Sequence, residues 1–110
     1  MKTIATARIE GPEAIGDAEI VQLENGAFQL QLKEFWVAQG APDVQIVFSK
    51  AQDGVISESN IRFIAKLPAG TFNQNFEIDH LSDFEQMKTL IVYCKQFFAH
   101  FGHGTIERVI

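Results

Sequence analysis

The sequence predicts an all-β domain, an antiparallel β-sandwich of about eight short strands with one short helical turn. Three observations carry this. Short runs alternate apolar and polar residues with period two; Gly, Pro and Asn-Gly turn chemistry separates them; and no amphipathic segment of crossover-helix length lies between them. Ten phenylalanines against one tyrosine and one tryptophan, spread along 110 residues, suit the interior between two sheets, and all are expected in the core.

The elements follow in order. Residues 3–9 form an alternating run that stops at Gly11-Pro12 and reads as an edge strand. Residues 18–24, Asn25-Gly26 and 27–35 read as a hairpin with a two-residue type I′ turn. That turn sets Leu23 opposite Phe28, Val21 opposite Leu30 and Gln22 opposite Gln29, one face apolar and the other polar. After a turn through Gly40 and Pro42, Val44, Ile46 and Phe48 alternate with Gln45 and Ser49 in a mostly buried strand. Residues 50–60, with Asp53-Gly54, form a polar connection. Ile61, Phe63, Ala65 and Leu67 give the next strand, Pro68-Ala69-Gly70 the next turn, and Phe72, Phe76 and Ile78 one face of the strand that follows. Ser82-Asp83-Phe84-Glu85 fits a capping box and supplies the helical turn. Strand pattern returns at residues 90–94, and a run from Phe97 through Gly102 and Gly104 leads to a last strand at 105–109.

A length of 110 residues fits a single domain spanning 1–110. The net charge of −5 provides no basic footprint, so nucleic acid is not expected as a partner. No stretch approaches the ~20 apolar residues of a membrane span, and Lys2 and Arg8 flank no apolar core of a signal peptide, so neither membrane insertion nor a signal peptide is expected in this chain.

The candidate chemistry gathers in residues 90–106, LIVYCKQFFAHFGHGTI, which hold the one cysteine and two of the three histidines. On a strand, Cys94 shares a face with Val92 and not with Tyr93 or Lys95. It reads either as a buried small hydrophobe or as a redox or ligand-binding thiol, and a redox thiol would need a cation from another strand, with His80, His100 and His103 as candidate neighbours. His100 and His103, three apart, face opposite sides of a regular strand, and only a bulge or bend at Gly102 would bring them together. With no Cys-x-x-Cys or other standard ligand spacing, no metal site and no cofactor are expected. Asp43, Asp53, Asp79 and Asp83 follow no ordered calcium loop. Paired catalytic carboxylates, an activated serine and a phosphate loop are all absent, so an enzyme is not indicated. Gly102 and Gly104 are expected to permit a turn or a close strand approach.

Three blocks carry a family resemblance: LQLKEFWVAQGAPDVQIVFS at 30–49, IAKLPAGTFNQNFEI at 64–78 and the block at 90–106. Together they resemble the DM-thirteen domain, which accompanies DOMON domains in Skeletor-like surface proteins and stands alone in many bacterial exported proteins. The chain departs from the family pattern where Ala41 splits its Gly-Pro-Asp triplet, where Tyr93 replaces a common tryptophan and where Gln96 replaces a common proline. The resemblance implies a β-sandwich in an extracytoplasmic place, the periplasm or cell surface, with an electron-transfer role through Cys94 and an unidentified protein or redox partner. The expected function is therefore a non-enzymatic module of an exported or surface protein, redox-active or ligand-binding through Cys94. The alternative is a structural or protein-interaction domain with Cys94 in its core.

Overall fold

The computed structural model describes residues 1–52, 56–57, 59–78 and 86–109. The expected helical turn at 82–85, His80, Asp79 and the Asp53-Gly54 pair lie outside the described residues. Nine strands run in chain order: β1 (Lys2–Ile9), β2 (Ala14–Gln22), β3 (Phe28–Val37), β4 (Val44–Ser49), β5 (Ile61–Lys66), β6 (Gly70–Ile78), β7 (Thr89–Cys94), β8 (Ala99–Thr105) and β9 (Glu107–Arg108). They build two antiparallel sheets, β6-β3-β2-β1-β9 and β5-β4-β7-β8, and among the described residues there is no α-helix. The all-β sandwich expected from the alternation is what forms.

The main core lies between the sheets. Ile9, Ile20, Leu30, Leu32, Phe35 and Val37 from one sheet meet Ile46, Phe48, Leu90, Val92 and Cys94 from the other. Each is at most 1 % exposed, and a fully buried Leu, Ile or Phe side chain contributes about 1.5–3 kcal/mol. Phenylalanine is not uniformly core, contrary to expectation: Phe35, Phe48 and Phe101 are buried, whereas Phe63, Phe97 and Phe98 are exposed.

Two expectations on strand pairing are corrected. β1 is not an edge strand, because β9 pairs with it at Ala5↔Arg108 and Thr6↔Glu107. The β2–β3 hairpin pairs Gln22 with Phe28, Val21 with Gln29 and Ile20 with Leu30, one residue away from the expected register. Leu23 N–H donates to Ala27 O (2.7 Å) and Gly26 N–H to Leu23 O (2.9 Å), so three residues, not two, make the loop. Gly26 has φ 88°, while neither Glu24 nor Asn25 has a positive φ; a type I′ turn needs positive φ at both central residues, and this loop is instead a turn closed by a left-handed glycine.

A bulge in β3 keeps its apolar side inward. Leu32 pairs with Gln74 and Phe35 with Phe72, so β3 carries one extra residue there. Glu34 adopts φ 47°, and its N–H donates to Asn73 Oδ1 at 2.9 Å. The inward series thus runs Leu30, Leu32, Phe35, Val37, all buried.

The segment after β1 presses backbone against β8. Glu10 and His103 exchange two backbone hydrogen bonds (3.1 and 3.2 Å), and Glu13 N–H donates to Phe101 O (3.1 Å). A Cβ on Gly104 would stand 2.2 Å from Arg8 O, and one on Gly102 2.8 Å from Ala14 O, which is the close approach expected of these two glycines. Because Arg8 O is backbone, it cannot rotate away. Gly104→Ala is therefore expected to cost about 1–3 kcal/mol, read as a lower urea midpoint at unchanged m; an unchanged midpoint would show that the two segments separate freely.

Candidate functional site

Within the four-stranded sheet the two central strands, β4 and β7, are buried at every position. On the inner face, β7 presents Leu90, Val92 and Cys94 to the main core. On the outer face, Val47, Ile91 and Tyr93 form a second, smaller cluster, with Ile56 and Ile61 packed against it. This two-sided burial explains why residues 90–94 read as a continuous apolar run.

Cys94 is a free thiol, 1 % exposed. It stands opposite Val44 on β4 and Ala99 on β8. As strand alternation predicts, it shares the face of Val92, while Tyr93 projects to the other side. Lys95 lines the outer face, so neither it nor His100 lies over the sulfur. His80 falls outside the described residues.

The histidines depart from the expected separation. β8 pairs Val92 with Gly102 but Tyr93 with His100, so Phe101 is an extra residue opposite β7. The bulge turns the buried Phe101 ring into the main core and brings His100 and His103 to the outer face. Their rings meet there, His100 Nε2 to His103 Nδ1 at 2.9 Å, with centroids 5.0 Å apart. Partial burial first, and repulsion from His103 second, hold the His100 pKa below its ordinary value of 6.5. Among the described residues no group of three or more His, Cys, Asp or Glu is placed to hold a metal ion.

The cross-strand pairs arrange the outer face in rows. One row runs Lys66, Gln45, Tyr93, His100 and the next Phe63, Val47, Ile91, His103. Between β5 and β7 lies a groove of about 400 Å³, with Val47 and Ile61 as floor, Phe63 and Tyr93 as walls, and Lys66 and Lys95 at the rim. Phe98 extends the Tyr93 wall by an edge-to-face contact at 5.8 Å. It holds φ 53° in the turn that follows Cys94, a conformation uncommon for a bulky residue. Lys66 stands 3.9 Å from Asp43; no ion pair engages Lys95 among the described residues. A second cleft of similar volume crosses the five-stranded sheet, but both of its cations are already paired, Arg8 with Asp17 and Lys33 with Glu19.

Sequence reasoning missed this groove. Its signal was the outward parity of Phe63 on β5 and Tyr93 on β7, the two strands that flank β4, with Phe97-Phe98 in a turn instead of a strand. Of the residues it did name, the structure brings His100 and His103 together and leaves Cys94 on the opposite face.

The family model described as electron transfer DM13 matches residues 10–106, and the chain belongs to that family. Neither the curated proteins nor the solved structures gave a match.

The lowered His100 pKa sets a sign. Above 6.5 the imidazole is neutral in both folded and unfolded chains; as pH falls from 6.5 towards the lowered folded value, the unfolded chain takes up the proton first and stability is lost. In the presence of a chelator, the melting temperature of the wild type is expected to fall more steeply across that window than that of His100→Gln, and equal slopes would refute the assignment.

Proposed function

We propose that this member of the DM13 electron-transfer family is a non-enzymatic module of an exported or cell-surface protein, and that it works by docking a partner in the aromatic groove on the outer face of its four-stranded sheet. The observation that carries the reading is the division of labour across β7. Cys94 is sealed in the core at 1 % exposure, while Phe63 is 55 %, Phe97 68 % and Phe98 49 % exposed. Phe63 lines the groove and Phe98 abuts its Tyr93 wall, and exposed aromatic side chains beside a groove favour contact with another surface. Lys66 and Lys95 at the rim favour an apolar partner segment edged by acidic groups, although the chain as a whole is acidic. The family description supports an electron-transfer setting; in this reading the module acts outside the cytoplasm and the groove is its means of meeting a redox partner. In this reading Cys94 is a packing residue.

A redox or ligand-binding role for Cys94 is the second reading. It draws on one observation, that Cys94 ends β7 next to the turn holding Phe98 at φ 53°. Opening of that turn is the motion that would expose the sulfur.

The two readings part under substitution. A naphthalenesulfonate probe, anionic and aromatic, is expected to shift the amide resonances of Val47, Phe63, Tyr93 and Lys95. Phe63→Asp should weaken it by about tenfold or more, the equivalent of one buried aromatic contact. Cys94→Val should cost about 1–2 kcal/mol of stability at most and leave probe binding within about twofold. Shifts confined to other surfaces, or loss of binding in Cys94→Val, would overturn the docking reading.

A further inference from the structure

We propose that His100 and His103 form a binding site for a late first-row divalent cation, copper(II) above all, on the outer face of β8. The site stands apart from the groove and from Cys94, and neither proposal depends on the other.

The geometry carries it. Two nitrogens each about 2.05 Å from one ion and at right angles to each other are about 2.9 Å apart. His100 Nε2 and His103 Nδ1 are 2.9 Å apart in this structure. That spacing matches adjacent corners of a tetragonal site, the geometry that copper(II) and nickel(II) prefer with nitrogen and oxygen ligands. A tetrahedral ion would require the rings to spread by a few tenths of an ångström.

The backbone holds the pair in advance of any ion. Its convergence comes from the bulge at Phe101, whose ring is anchored in the core. His103 is fixed on both sides, opposite Ile91 on β7 and doubly hydrogen-bonded to Glu10, and His100 stands opposite Tyr93. Ligands on a pinned strand lose little freedom on binding. Directly opposed residues of an antiparallel pair share a face, and the Glu10↔His103 bridge sets Glu10 opposite His103, so the site offers two protein ligands. His100 is exposed, which leaves the remaining positions open to water or an incoming ligand.

Loading requires one internal proton shift. Of the two facing nitrogens one carries the hydrogen of the shared bond, and both must present lone pairs to an ion. The hydrogen moves to the far nitrogen of the same ring, both imidazoles stay neutral, and no net proton is released.

The test titrates the whole chain with copper(II) chloride. One equivalent is expected to bind with two imidazole nitrogens resolved in the electron spin resonance spectrum, and zinc(II) chloride should bind more weakly. His100→Gln and His103→Gln, whose side chains retain hydrogen-bonding capacity, should each weaken copper binding by about tenfold or more, with unchanged metal-free melting at a pH well above 6.5. Should either variant fail to fold, substoichiometric copper(II) added to the wild type is expected to broaden the imidazole resonances of His100 and His103 before those of any other side chain. A wild type that takes up no copper, a double glutamine variant that binds it undiminished, or broadening that begins elsewhere would overturn the site.

Discussion

The structure depends on one backbone-on-backbone contact, the segment around residues 8–14 laid across β8. Gly104 faces Arg8 O, Gly102 faces Ala14 O, and Gly11 faces Phe101 O. None of these carbonyls can turn aside as a side chain would, so only residues without a Cβ fit. The contact joins the two sheets at one corner through the Glu10↔His103 bridge. It also fixes β8 where an extra residue must be absorbed, so the Phe101 ring enters the core and the two histidines meet outside. β9 then returns to β1 and completes the corner.

Much of this was legible. Alternation located β4, β5 and β7, and the facing of Cys94 followed from period two alone. The hairpin register was not, for a physical reason: Ile20 and Val21 are both apolar, so Leu30 finds an apolar partner in either register, and a glycine with positive φ closes either loop. The bulge in β3 left a trace in the spacing of Leu30, Leu32, Phe35 and Val37, which changes parity once. The bulge in β8 left none, because Gly102 and Gly104 have no side chains to show which face they occupy.

The apolar block from 90 to 94 first suggests a reactive cluster, and two-sided burial gives it a different meaning. Its inner residues, including Cys94, complete the main core, and its outer residues Ile91 and Tyr93 support a second one. A strand covered on both faces reads as a near-continuous apolar run irrespective of function. The features with chemical reach lie on the outer surface: an aromatic groove rimmed by lysines on one side of Tyr93 and a histidine pair on the other.

The most direct measurement is the alkylation rate of Cys94 across a urea series below the unfolding midpoint. If the thiol is a packing residue, reaction requires opening of β7, and the logarithm of the rate rises with urea at the slope of global unfolding. Fast alkylation in the absence of urea, with a slope near zero, would contradict the account and return Cys94 to the working face of the protein.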